Sequence, residues 1–409
     1  MNEQTQQSIP FTGYQKFVIF LLAITQFTVV LDFMVMSPLG DIMMKTLRIT
    51  TSQFGVAVSA YAFSAGISGL LTAGFADKFD RKKLLLFFYI GFIIGTLFCA
   101  LAPTYTFLVL ARIVTGIFGG VISSISMAIV ADLFSLQQRG KVMGFVQMGF
   151  GVSQILGIPI GLFIANLWGW NIPFFWIAAM AGIIAFVLVL KLKPITAHLA
   201  LQKEKTAFQH LWHTVSQKNY RIGFLFTALL SIGGFMMMPF GSAFAINNLK
   251  VTTHQLPILF MITGLSTLIT MPLIGKLSDT VSKFKIFAIA TISATIFINI
   301  YAHFSVTPFW IVLITNVVMM VCIMSRMIPS TTLTSAIPVP QDRGAFMSIN
   351  SSLQQMSGGF GAMIAGMIIV QKDNFAPLQH YDILAIVASS IMLFTIFLMY
   401  RVSKIVEMK

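Results

Sequence analysis

Two charged segments of this chain occur twice, half a chain length apart. Ala73-Gly74-Phe75-Ala76-Asp77, followed by Arg81-Lys82-Lys83, returns about 200 residues later as Gly275-Lys276-Leu277-Ser278-Asp279 with Lys283 and Lys285. Gln138-Arg139-Gly140-Lys141-Val142-Met143-Gly144 returns at nearly the same spacing as Asp342-Arg343-Gly344-Ala345-Phe346-Met347-Ser348. A repeat of that period in 409 residues makes two equivalent halves. Hydrophobic residues form 57% of the chain and charged ones 9%, against about 25% charged in a soluble domain. Duplicated halves in so apolar a chain are the organisation of a membrane carrier.

Twelve apolar stretches lie near 17–41, 53–75, 83–102, 106–133, 141–165, 171–191, 222–247, 256–276, 284–305, 308–335, 344–371 and 381–401. Each is long enough to cross a hydrocarbon core of about 30 Å as a helix. Helices satisfy their own backbone in lipid, and the alternation of a barrel strand is missing. The expected fold is therefore all-α and integral to the membrane, with 12 transmembrane helices in two six-helix bundles related by a pseudo-two-fold axis. Its parts are a tail (1–16), a first bundle (17–191), a connection (192–221), a second bundle (222–401) and a short tail (402–409). In the connection Phe208, Leu211, Trp212 and Val215 have helical spacing. They suit an interfacial helix with Lys203, Lys205 and Lys218 near anionic headgroups, or else a solvated linker.

The net charge of +14 invites a nucleic-acid reading, but its distribution excludes it. Of the 26 Lys and Arg, twenty fall on the side of the termini, four (Lys45, Arg48, Lys250, Lys372) on the other, and Arg112 and Arg326 within spans. By the positive-inside rule both termini are cytoplasmic. The first span follows a polar tail without a small-residue cleavage site, so it reads as an anchor and not a removable signal. Cys99 and Cys322 fall inside spans, so no disulfide framework is implied. The six His lie on the connection or near outer ends, without metal or catalytic spacing, and no Gly-x-x-x-x-Gly-Lys-Ser/Thr loop occurs. An enzyme and a nucleotide-driven pump are both disfavoured, as is a sensor, which would carry a signalling domain.

The repeated hairpins join spans 2–3 and 8–9. An Asp closing one helix before a basic cluster opens the next suits a tight turn at the membrane surface. The first copy resembles the loop 2–3 signature of the major facilitator superfamily, Gly-x-Leu-Ala-Asp-Arg-x-Gly-Arg-Lys. Asp77, Arg81 and Lys82 match it; Ala73, Phe75, Lys78 and Asp80 depart from it. With the echo in the second half, the resemblance covers nearly the whole chain. It implies a cytoplasmic latch of Asp77 and Arg81 with Asp132 at the inner end of span 4, echoed by Asp279 and Lys283. A charge cluster that only sets orientation is the alternative.

Arg112 followed four residues later by Gly116 resembles the family's span-4 signature. Gly157-Ile158-Pro159-Ile160-Gly161 in span 5 resembles the Gly-Pro signature of its antiporters, with an Ile between Gly157 and Pro159. Gly and Pro remove bulk and one hydrogen bond, making either a functional bend or a close helix contact. The resemblance leans towards proton-coupled export.

Asp32 is the one acidic residue well inside a span, about 16 residues beyond Lys16 and so roughly 24 Å from the inner surface. Arg112 lies at similar depth in span 4, and in the family spans 1, 4, 7 and 10 line the cavity. A mid-bilayer charge costs on the order of 3 kcal/mol to insert. A carboxyl balanced between burial, which favours its neutral form, and a guanidinium, which favours its anion, can load and release a proton. Asp32 is thus the expected coupling residue, with Arg112 as modulator; a static ion pair is the competing reading. Arg326, with no counterpart in span 4, could meet an anionic substrate or snorkel inwards.

Gln26, Tyr61, Gln147, Gln154, Asn247, Asn316, Asn350, Gln354 and Gln355 are further cavity candidates, although isolated Asn and Gln mostly bind helices together. The 25 Met and 39 Phe could form an adaptable cavity or face lipid. The resemblance implies a proton-coupled multidrug efflux carrier of the bacterial inner membrane, monomeric, without metal or cofactor, whose partners are a small solute and lipid and not nucleic acid. A sugar or metabolite efflux carrier, or a facilitator, has the same fold.

Overall fold

The structure, a computed structural model, describes residues 11–73, 78–196, 199, 213–339 and 342–408. Twelve spans are present among the described residues. They are Gly13–Val35, Thr51–Ala73, Arg81–Ala100 and Tyr105–Leu133 (spans 1–4), with span 5 running through Leu136–Val152 and Ile158–Trp168. Span 6 is Ile172–Lys191, span 7 begins with Lys218–Phe235, and spans 8 and 9 are Gln255–Thr280 and Lys283–Ala302. Span 10 consists of Phe309–Ser325 and Met327–Ala336, span 11 is Arg343–Ile368, and span 12 is Tyr381–Glu407.

Among the described residues eleven helices are long and apolar enough to cross a membrane. The twelfth, span 11, suffices in length with 26 residues but carries Ser348, Asn350, Ser351, Ser352, Gln354, Gln355 and Ser357. That helix is accommodated because it packs along span 2. Ser59 donates to the Gly359 carbonyl at 2.8 Å, and a Cβ on Gly55 would stand 3.2 Å from the Gly366 Cα. Small residues on both helices let the backbones approach, so dispersion and hydrogen bonds replace hydrophobic burial.

The duplication reappears in local geometry. Spans 1 and 7 both break before a proline, Pro38 and Pro239, and then resume as short helices, Gly40–Leu47 and Gly241–Asn247. Arg48 and Lys250 follow those helices in the left-handed region, at φ 52° and 60°. The next helices open with matching capping boxes: Thr50 with Gln53, and Thr252 with Gln255, each pair exchanging backbone-to-side-chain hydrogen bonds. Span 1 itself starts at Gly13, earlier than the tail boundary read from the sequence, because Thr12 and Gln15 form such a box.

We call the surface carrying both termini the terminal face and the opposite one the far face. Hydrogen bonds between the halves gather towards the far face. Ser37 donates to the Met238 carbonyl, Thr51 to the Ile369 carbonyl at 2.7 Å, Asn374 to the Met44 carbonyl at 2.7 Å and Asn166 to the Thr253 carbonyl at 3.1 Å. In the connection Phe208, Leu211, Trp212, Lys203 and Lys205 lie outside the described residues.

Candidate functional site: a buried ion pair in the first half

Span 4 contains Gly116, Gly119 and Gly120. A Cβ on Gly116 would collide with Ser64 Oγ and the Tyr61 carbonyl, and one on Gly120 would lie 2.5 Å from the Ala65 Cα. Span 2 therefore rests directly on span 4, which brings the Tyr61 ring to 4.6 Å from the Arg112 guanidinium carbon. On the other side span 5 leans on span 1. A Cβ on Gly157 would meet Leu31 Cδ1 at 2.5 Å, and one on Gly161 would meet Val35 Cγ2 at 2.9 Å. Between Gly149 and Pro159 the helix widens into a π turn, Ser153–Gly157. Pro159 has no N–H to give the preceding turn, and the wider turn absorbs that loss. The Gly-Pro segment thus fixes the position of the residues flanking Asp32.

Inside this frame Arg112 Nη1 donates to Asp32 Oδ2 at 2.8 Å, and Thr96 Oγ1 donates to Asp32 Oδ1 at 3.1 Å. The two charged side chains are at most 1% exposed. Spans 1, 2, 3 and 4 each contribute to the cluster, with Cys99 and Thr115 completing it at 3.6 Å from one another. Arg112 Nε and Gln26 Oε1 are buried without a hydrogen-bond partner among the described residues. Phe33, next to Asp32 in the chain, stacks at a tilt on Tyr61 (5.3 Å) and on Phe235 of span 7 (6.1 Å). The pair is therefore one aromatic layer away from the boundary between the halves.

The other expected residues are distributed as follows. Arg81 Nε and Asp132 Oδ2 are 3.1 Å apart at the terminal face, joining spans 3 and 4. Asp77 and the side chain of Asp279 lie outside the described residues, and Lys283 donates to the Ser278 carbonyl at 3.0 Å. Gln147 is exposed, whereas Gln154, in the π turn, and Gln355 are half-buried. Asn316 accepts from Thr263 at 2.9 Å, tying span 10 to span 8. Asn247 sits at the far-face junction, where it donates to Asp41 at 2.6 Å, and not in the cavity. Thr227 donates to Asn350 at 2.6 Å beside Gln354, so that spans 7 and 11 share a polar wall. Arg326 stands at the break in span 10, 1% exposed, and does not snorkel. Its Nη2 lies 3.4 Å from Thr395 Oγ1 and its guanidinium carbon 5.3 Å from the Phe287 ring centroid.

The sequence reading missed Thr96, Thr115 and Cys99, which carry no motif of their own. It also passed over Asp41 and Lys45. Extending the internal repeat would have found them, because Pro38-Leu39-Gly40 returns as Pro239-Phe240-Gly241 and Arg48 as Lys250, with Asp41 and Asn247 between.

The family model for the major facilitator superfamily matches residues 22–362 and 223–405. The chain belongs to the major facilitator superfamily. Among curated relatives, this facilitator is 24% identical over 365 residues to Multidrug resistance protein 2 of Bacillus subtilis (strain 168), covering 87% of this chain and 89% of that one. It is 24% identical over 269 residues to the MFS-type transporter YceJ of the same organism, covering 65% and 68%. A probable sugar efflux transporter of Helicobacter pylori (strain G27) is 27% identical over 192 residues, covering 46% of this chain and 49% of that protein. Three other Bacillus relatives, YbcL, YwfA and YfhI, are matched over less than half of their length. In three dimensions the facilitator resembles a D-xylose-proton symporter, with TM-score 0.76, 17% identity, and 95% and 98% of the two chains covered. It also resembles a bacterial homologue of the lysosomal transporter Spinster, with TM-score 0.74, 16% identity, and coverage of 98% and 97%. At these identities the likeness establishes the 12-helix, two-bundle fold. The facilitator is a membrane transporter and not an enzyme.

Proposed function

We propose that this carrier exports a small amphipathic solute from the cytoplasm in exchange for protons, the two halves rocking about a site near the midplane. The observation carrying the proposal is the Asp32–Arg112 pair, buried at 2.8 Å and roofed by Tyr61 and Phe33 at the boundary with span 7. When the halves move, Phe33 and Tyr61 move with that boundary and change how far Asp32 is shielded from water. A carboxyl whose hydration and counter-charge alternate takes a proton on one side and yields it on the other. Proton and solute then bias one two-state equilibrium, which is the requirement for coupled exchange. In this reading Arg112 stabilises the anion between proton deliveries, Arg81 and Asp132 hold the terminal face, and the proton is the coupling ion, with no cofactor.

The placement is the bacterial inner membrane with both termini in the cytoplasm, supported by the excess of Lys and Arg on the terminal face. The bonded far face then corresponds to a carrier closed towards the outside. The multidrug resistance relative supports drug-like cargo. The sugar efflux relative supports a second reading, a metabolite exporter built on the same pair.

The test compares wild type with Asp32→Asn, at matched membrane levels, in an efflux-deficient bacterial host challenged with lipophilic cations, neutral drugs and anionic toxins. Protection that requires Asp32 and collapses with a protonophore is the expected result. Protection indifferent to Asp32 would remove the coupling role, and flux driven downhill regardless of pH would make the protein an uncoupled, passive carrier.

A further inference from the structure

The two arginines inside spans are answered differently. In the first half the Arg112 charge meets Asp32 at 2.8 Å. In the second half Arg326 is as deeply buried, 1% exposed, and forms no ion pair with any described carboxylate. Its Nε has no hydrogen-bond partner among the described residues. Nη2 reaches one acceptor, Thr395 Oγ1, at a long 3.4 Å, and that hydroxyl gives its own proton to the Met392 carbonyl. The Phe287 ring, 5.3 Å from the guanidinium carbon, offers the charge a π face but no anion.

The chain does not supply the missing negative charge. From span 7 onwards there are five acidic residues, and each stands at the end of a span or beyond it. Asp279 is the last residue but one of span 8, and Asp342 caps span 11 and accepts from Tyr220 at 2.9 Å. Asp373 lies in the loop before span 12, Asp382 in the first turn of that span, and Glu407 pairs with Lys404 near its other end. A guanidinium does not give up its proton at working pH. An isolated charge in a low-dielectric interior is strongly unfavourable, and water can meet its N–H groups without neutralising it.

We infer that Arg326 holds a small monovalent inorganic anion, of the size and charge of chloride, inside the second bundle between spans 9, 10 and 12. The ion stands beside Arg326 as Asp32 stands beside Arg112. One negative charge neutralises the guanidinium, whereas a divalent anion would leave a net charge in the same low-dielectric interior. A bulky carboxylate could reach so buried a group only by parting the helices around it, while a single ion needs no more than the opening that admits a water. An aromatic ring and one hydroxyl return little hydration, so an anion that dehydrates easily is favoured, chloride or bromide over fluoride. The ion would tie the break between Phe309–Ser325 and Met327–Ala336 to Phe287 of span 9 and Thr395 of span 12. The inference stands apart from the export reading, since it involves neither the coupling proton nor the cargo.

The experiment follows thermal unfolding of the purified full-length protein in detergent while sodium gluconate is replaced by sodium chloride, bromide or fluoride at constant ionic strength and pH. The wild-type midpoint is expected to rise and saturate with chloride and bromide, as a ligand of the folded state requires, and to respond less to fluoride. Arg326→Gln is expected to lose the halide response and, in gluconate, to unfold at a higher temperature than wild type, because the uncompensated charge is gone. Arg326→Lys keeps a charge and is expected to keep a response. If Arg326→Gln does not fold, broadening of the chloride NMR line by wild type, reversed by bromide, is the expected result, and its absence overturns the inference. A wild type indifferent to halides, or a halide response that survives in Arg326→Gln, overturns it as well. Stabilisation by benzoate and not by halides would give Arg326 to the carboxylate of a cargo and would equally overturn the inference.

Discussion

Asn247 donates to Asp41 across the boundary between the halves, Nδ2 to Oδ1 at 2.6 Å, with both residues only 4% exposed. Lys45 reaches the same pair, 2.8 Å from Asp41 and 3.2 Å from Asn247. The junction lies at the tips of the two short helices that follow the broken first span of each half. A hydrogen bond to a charged group contributes about 1.5–3 kcal/mol. Asn247→Leu removes it and leaves Asp41 with Lys45 alone, so the far face is expected to open roughly ten- to a hundredfold more often, in keeping with that energy. Labelling of a Thr51→Cys reporter by a membrane-impermeant maleimide, applied from the far side, checks this; labelling unchanged from the Asn247 parent means that the junction does not hold the face closed.

The Asp32–Arg112 pair makes an asymmetric prediction. Truncating one member leaves the other charge buried without its partner, a change that costs about 3–5 kcal/mol. Arg112→Ala is therefore expected to unfold in detergent at a much lower temperature than wild type. Asp32→Asn with Arg112→Gln, which removes both charges and keeps the hydrogen-bonding shape, should recover most of that loss. Thermal unfolding of Asp32→Asn, Arg112→Gln and their double variant tests the coupling between the sites, and strict additivity would argue that they do not act as a pair.

Glycine packing supplies a contrast within one residue type. Gly116→Ala drives a methyl into Ser64 and the Tyr61 carbonyl, whereas Gly144→Ala meets nothing within 4 Å. Overpacking of this kind costs about 1–3 kcal/mol. The first variant should lower the yield of monodisperse protein in size-exclusion chromatography and the second should not. Equal behaviour would mean that span 2 can retreat from span 4 freely.

At the terminal face, Arg81 and Asp132 join spans 3 and 4 at 3.1 Å, with side chains 7% and 18% exposed. Arg81→Asp is expected to lower transport strongly, because two carboxylates would then face each other. Combining it with Asp132→Arg restores opposite charges, and recovery of a measurable part of the flux in the double variant is the expected outcome. No recovery would place the role of Arg81 with its other partners.

The legible part of this protein was what repeats or what spans. Twelve crossings and two halves follow from apolar length and the duplicated charged hairpins. The similar depth of Asp32 and Arg112 follows from counting helical rise from opposite surfaces, and their meeting from the resemblance, which sets spans 1 and 4 around one cavity. The identity of the residues around that pair was not legible, because Thr96, Cys99 and Thr115 acquire meaning only when span 3 packs on span 4. Asn247 reads as a cavity amide by its place in a long apolar run, and only the break at Pro239 turns it towards Asp41. Arg326 reads as a residue able to snorkel, since nothing in the chain reveals that Phe287 and Thr395 close around it.

The polarity of span 11 has a consequence for how the protein is made. A segment with seven Ser, Asn and Gln side chains between Ser348 and Ser357 gains little on its own from leaving the translocon for lipid. Its favourable partner is span 2, synthesised some three hundred residues earlier, as the Ser59-to-Gly359 bond spanning 300 positions records. Membrane entry of span 11 is thus tied to a first half already folded and waiting, so the order of synthesis is part of the assembly, and the two halves are not interchangeable in time although they are nearly so in shape.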